Sequence, residues 1–173
     1  MMNYSLYPII TKLLLGFFSI APLSHAAEPT LCKSNETPIF SCGFKNKKIV
    51  SICYPKNSQQ GYVDYRFGNK SKVELTYSAN PHLPEQKFHR GEVVYANNSD
   101  DMIWFKKGNY RYSVYSPMRG GPGLSVSLNG EVVTRLECNN SGRGATEALK
   151  TPSPFIVEHG TGDLTKFEKL WGD

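Results

Sequence analysis

The chain has 173 residues and a formal net charge of +5, with 20 Lys and Arg against 15 Asp and Glu. That length suits one domain with a hydrophobic core of its own. The positive excess is too small and too scattered for a nucleic-acid-binding protein; its densest cluster, Lys45, Lys47 and Lys48, falls on an expected hairpin tip, where charge keeps a sheet edge soluble.

Residues 1–26 read as a cleavable export signal. Lys12 supplies positive charge, 13–23 (LLLGFFSIAPL) form a short apolar run, and Ser24 and Ala26 put small residues three and one positions before the expected cut. The run is about half the ~20 residues needed to cross a bilayer, so release is expected rather than anchoring. Removing these 26 residues, which hold one lysine and no acid, leaves 147 residues with a formal charge of +4. The mature part, 27–173, is expected to be a single β domain without a membrane span, with a β core over 31–138 and a loop and helical tail over 139–173. A periplasmic or secreted location follows.

Beyond the signal, short runs of β-branched and aromatic residues alternate with turn signals about every ten residues. Strands are expected over 38–44, 48–54, 61–67, 72–78, 88–96, 102–106, 110–115, 124–128 and 132–138. Asn97-Asn98-Ser99-Asp100 carries strong turn chemistry. Asn129-Gly130 is the clearest hairpin signal in the chain, because both residues tolerate positive φ. Within the runs, alternation marks half-buried strands: Leu124, Val126 and Leu128 face one way, Ser125 and Ser127 the other. The expected fold is all-β, a single antiparallel barrel or sandwich of eight to nine strands. In the tail, Asp163 caps a short expected C-terminal helix with Leu164, Phe167, Leu170 and Trp171 at helical spacing.

Cys32, Cys42, Cys53 and Cys138 are even in number and follow an export signal, so the domain is expected to be disulfide-stabilised. Four cysteines allow three connectivities. A turn centred near Lys47 and Lys48 places Cys42 opposite Cys53, which points to a Cys42–Cys53 bridge and leaves Cys32–Cys138 to tie the first strand to the last. The intervals lack any CxxC spacing, so no metal site and no other cofactor is expected.

Catalytic signals are sparse. His82, His89 and His159 stand in no ligand spacing, and no nucleophile elbow or phosphate-cradling glycine loop occurs. Asp64 and Glu92 are two acids among many, without a motif to pair them. No catalytic residue is assigned. Recognition loops are easier to find. In 116–123 (SPMRGGPG) glycines allow close backbone approach, Met118 adapts to apolar surfaces and Arg119 forks onto carboxylates. In 139–144 (NNSGRG) Ser141, Gly142 and Arg143 project from a start held by Cys138. Tyr62, Tyr65, Tyr77, Tyr95, Tyr110, Tyr112 and Tyr115 suit an interface, a sugar-stacking surface or an ordinary sheet.

The pattern Phe40-Ser41-Cys42, Lys47-Lys48-Ile49-Val50-Ser51-Ile52-Cys53 and Tyr65-Arg66-Phe67-Gly68 resembles a family of small exported bacterial proteins without an assigned activity. In that frame Arg66 is expected to pair with Glu74 across a hairpin. A more distant similarity is to periplasmic lysozyme inhibitors and to immunity proteins that neutralise secreted effectors, some of which push a Ser-Gly loop into a hydrolase cleft. Ser141-Gly142 matches that loop, whereas Gly144 and Ala145 stand where its tyrosine is expected. The resemblance implies a protein partner, a cell-wall hydrolase or toxin, blocked by loop insertion. The alternatives are a carbohydrate or envelope-polymer binding module and, third, a hydrolase of unrecognised type.

Overall fold

The computed structural model describes residues 29–57, 61–139 and 152–163. Ten strands appear in chain order: β1 (Glu36–Gly43), β2 (Ile49–Pro55), β3 (Val63–Asn69), β4 (Lys72–Ala79), β5 (Phe88–Val94), β6 (Ser99–Lys107), β7 (Tyr110–Pro117), β8 (Gly123–Leu128), β9 (Glu131–Glu137) and β10 (Ile156–Gly162). They build a four-stranded sheet, β1-β2-β3-β4, and a six-stranded sheet, β10-β5-β6-β7-β8-β9. The fold is all-β, a two-sheet sandwich. Every expected strand is present, and the Asn129-Gly130 hairpin forms with φ of 50° and 90° at its two central residues.

Alternation decides what lies between the sheets. On the four-stranded sheet Phe40, Val50, Ile52, Val63 and Tyr65 point inward; from the other sheet Phe88, Ile103, Phe105, Val114 and Leu124 meet them in one continuous buried cluster. Phe105 sits at its centre, stacked on Tyr77 at 4.1 Å between ring centroids and on Tyr112 at 5.0 Å, with Tyr65 edge-on at 4.8 Å. Offset and edge-on ring pairs of this kind each add about 0.5–1.5 kcal/mol beyond the area they bury. On the opposite face of the six-stranded sheet, Val93, Met102 and Trp104 are also buried and pack with Tyr115.

The disulfides differ from the expected pairing: the bridges are Cys32–Cys53 and Cys42–Cys138, so neither Cys42–Cys53 nor Cys32–Cys138 forms. The β1–β2 turn is centred on Asn46, tightened by hydrogen bonds from Phe44 N to Lys48 O and from Lys47 N to Phe44 O, so Cys42 lies opposite Val50 and Cys53 opposite Pro38. Cys42 therefore shares the core face with Val50, whereas Cys53 lies on the outer face with Ser51. A turn misplaced by an odd number of residues along β2 exchanges the two faces, which is why the hairpin argument fails. On the core side Cys42 reaches Cys138, just past β9, and joins the two sheets. On the outside Cys53 holds Cys32 and the segment that runs over the sheet.

The tail is the second correction. Residues 156–162, expected as loop, form β10, which pairs parallel to β5 and makes the larger sheet mixed rather than purely antiparallel. The sequence IVEHGTG hides a strand, since only its first two residues are apolar and Gly160 (φ 63°) interrupts the register. Side chains secure it instead: Arg90 pairs with Glu158, His89 Nδ1 lies 2.9 Å from His159 Nε2, and Thr161 Oγ1 donates to Glu92. The expected export signal and the expected helix beyond Asp163 lie outside the described residues. Among the described residues no helix is long and apolar enough to cross a membrane.

Digestion under non-reducing conditions should release Cys32–Cys53 and Cys42–Cys138 linked peptides. Cys42–Cys138 closes a loop with a sequence separation of 96, so the chain-entropy account assigns it about 4–5 kcal/mol, against about 3 for the shorter bridge. Denaturant titration of the paired Cys→Ser variants should show the larger loss for Cys42→Ser with Cys138→Ser.

Candidate functional site

Two places on the sandwich combine fixed geometry with chemistry. The first lies on the outer face of the four-stranded sheet, where β1, β2 and β3 present Ser41, Ser51 and Arg66 side by side. The segment 29–33 crosses them: Ser41 Oγ donates to Pro29 O at 2.7 Å, and Leu31 N donates to Ser51 Oγ at 2.9 Å. Arg66 is the centre of this layer. Its Nη1 donates to Glu36 Oε2 at 2.5 Å and to Leu31 O at 3.1 Å; its Nη2 donates to Glu36 Oε1 at 2.8 Å and to Asp64 Oδ2 at 2.6 Å. The Glu36 carboxylate also accepts from Lys33 N and from Tyr62 Oη, each at 2.6 Å.

The Glu36 side chain is fully covered and that of Arg66 only 7% exposed. Burial alone would raise the Glu36 pKa, but it is outweighed by hydrogen bonds from Arg66, Tyr62 and Lys33 N–H, which hold the carboxyl down from 4.5 to about 2. Burial and the bond to Glu36 push the Tyr62 phenol up to about 12. The expected Arg66–Glu74 contact does not form: Glu74 pairs with Lys48, while Arg66 is taken up by Glu36 and Asp64.

The second place is one end of the six-stranded sheet, where the β5–β6 turn and the β7–β8 loop meet. Of the residues singled out for recognition, Met118 and Arg119 stand here. Met118 N donates to Ser99 O at 2.7 Å and Arg119 N to Asn98 Oδ1 at 2.9 Å, so one turn braces the other. Met118 is 64% exposed, and Val94 and Tyr95, at the end of β5, are exposed beside it. Tyr95 Oη donates to Asp100 Oδ2 and Asn98 Nδ2 to Asp100 Oδ1, bonds that fix the turn from beneath. Burial raises the Asp100 pKa, only partly offset by the bond from Tyr95 and the charge of Arg135. Ser141, Gly142 and Arg143 lie outside the described residues.

Tyr95 was named in the sequence only as one of seven tyrosines and Asn98 only as turn chemistry, and Val94 not at all, although two apolar residues directly before a polar turn are a usable signal. Asp64 and Glu92 belong to different sheets and hold separate partners, Arg66 and Thr161. On the outer face of the larger sheet His89 stacks on Trp104 at 5.6 Å, with His159 completing a three-ring group. Burial, then the neighbouring His159 and Lys106, lower the His89 pKa. Neither a family model, nor a curated protein, nor a solved structure matches the chain.

These shifts set the acid response. The Glu36 carboxylate is depressed in the fold, so its contribution is complete above about pH 4.5 and is lost as pH falls towards 2. The His89 ring is also depressed, so the unfolded chain takes up the proton first and stability declines as pH falls below about 6.5. Urea titrations between pH 8 and pH 2 should resolve both steps, and His89→Gln should flatten only the upper one. Glu36→Gln should remove the lower step and cost about 3 kcal/mol at pH 7, since it leaves a buried guanidinium with half its counter-charge.

Proposed function

We propose that the protein is an exported, disulfide-stabilised inhibitor or immunity protein that binds a cell-wall hydrolase or secreted toxin. The observation that carries this reading is Met118, 64% exposed on a loop whose Met118 and Arg119 amides are pinned to the Ser99 carbonyl and the Asn98 side chain of the neighbouring turn. A large apolar side chain held out into solvent on an ordered loop loses little entropy when it enters a partner's cleft. Methionine fits irregular apolar surfaces, and the adjacent Arg119 offers a fork for the carboxylates that line hydrolase clefts. Val94 and Tyr95 extend the apolar part of the same tip. The two disulfides support an oxidising compartment, in line with an export signal over residues 1–26.

The test is site-specific photo-crosslinking in the host envelope, with the probe at position 118 and a control probe at Val132 on the far hairpin. A hydrolase or toxin captured from position 118 alone, and inhibited by the purified protein, is the expected result. Met118→Asp and Arg119→Ala should each weaken that inhibition about tenfold or more, the size of one lost interface anchor. Inhibition at full strength by both variants, or a protein retained on peptidoglycan with no protein captured, overturns the proposal.

A further inference from the structure

A groove of about 980 Å³ opens beside the Glu36–Arg66 network, at the upper end of the about 300–1,000 Å³ typical of small-molecule sites. Its polar lining comes from Lys33, Tyr62, Asp64, Ser78, Asn80 and His82, drawn from the crossing segment, β3 and the residue before it, β4 and the loop after β4. Leu83, Pro154 and Phe155 provide an apolar wall. We infer that this groove is a binding site for a neutral saccharide, separate from the loop tip on the other sheet.

Two features of the lining lead there. Tyr62 and Asp64 are held in place from behind: the phenol donates to Glu36, and Arg66 grips both Glu36 and one oxygen of Asp64. The tyrosine ring and the carboxylate therefore meet a ligand already oriented, which lowers the cost of binding. The remaining groups are not used up on one another. Among the described residues, Asp64 Oδ1, Lys33 Nζ, Ser78 Oγ and the His82 ring make no hydrogen bond to the chain, while Asn80 spends only its Oδ1, on His82 N. The floor thus offers an acceptor and several donors at once.

Charge selects the ligand class. A single anion would meet Asp64 and a single cation would meet Lys33, so neither is well served. A neutral ligand whose hydroxyls both donate and accept satisfies both sides, with donation to Asp64 and acceptance from Lys33, Asn80 and His82. A sugar ring also carries an apolar C–H face, which fits against Tyr62 and the Leu83 wall. The groove is open to solvent and, at about 980 Å³, roomier than a single ring needs, so a short oligosaccharide suits it better.

Titration of the isotope-labelled protein with the tetramers of β-1,4-linked N-acetylglucosamine and of β-1,4-linked glucose, followed by amide NMR, tests this site. Shifts should concentrate on Tyr62, Asp64, Ser78, Asn80 and His82. Binding should be little changed between 50 mM and 500 mM salt, as a neutral ligand requires. Asp64→Ala should lower affinity about tenfold, the worth of one hydrogen bond to a charged group. Lys33→Ala, at an exposed side chain where folding is not at risk, should lower it severalfold, and Arg119→Ala should leave it unchanged. The inference fails if neither tetramer shifts these amides at millimolar concentration, or if Asp64→Ala and Lys33→Ala bind at full strength. It also fails if a short peptide with free termini binds there and the saccharides do not.

Discussion

A guanidinium and a carboxylate meet out of reach of water on the outside of the four-stranded sheet, and the layout of that side of the molecule depends on them. A buried pair of this kind seldom stabilises a fold more than apolar side chains of the same shape would. Its effect is on position. Arg66 has to reach Glu36, Asp64 and the Leu31 carbonyl together, while Glu36 collects Lys33 N–H and the Tyr62 hydroxyl. Sliding the crossing segment by one residue would take both the Leu31 carbonyl from Arg66 and the Lys33 N–H from Glu36. The Cys32–Cys53 bridge then fastens the arrangement covalently.

Much of the fold was legible because strands announce themselves locally. Alternating β-branched and aromatic residues located nine of the ten, and Asn129-Gly130 located a hairpin, since each signal lies within a few residues of what it specifies. The failures share a cause too. Which face Cys42 occupies depends on the parity of a turn, and Lys45 to Lys48 are too uniform in character to show where the chain reverses. Strand β10 owes its place to His89, Arg90 and Glu92, residues about 70 positions earlier, and nothing in IVEHGTG itself records them. Arg66 was seen as a cross-strand partner of Glu74, but the acids that hold it come from β1 and from its own strand.

The candidate sites were legible to different degrees for the same reason. Met118 and Arg119 sit in one contiguous loop whose glycines and prolines mark it as special, so sequence could name them. The groove draws its lining from four separate stretches of chain, and only folding brings Lys33 near His82. The two places also fit different tasks. One is a loop tip that carries an exposed apolar side chain; the other is a concave surface with an apolar wall, where, among the described residues, Asp64 Oδ1, Lys33 Nζ, Ser78 Oγ and the His82 ring are left unspent.

The order in which the cysteines are joined bears on how the protein reaches its native state. The first cysteine along the chain bonds to the third and the second to the fourth, so the two covalent loops interleave. A chain that oxidises its thiols in order of emergence joins Cys32 to Cys42, a pair found in neither native bridge. Maturation from there requires thiol–disulfide exchange, a thiolate attacking the wrong bond and releasing its partner. Cys42 finds Cys138 only after the two sheets have come together, so closure of that bridge reports a completed sandwich. Interleaved loops of this kind make the order of bond formation, and not only the positions of the thiols, part of reaching the native pairing.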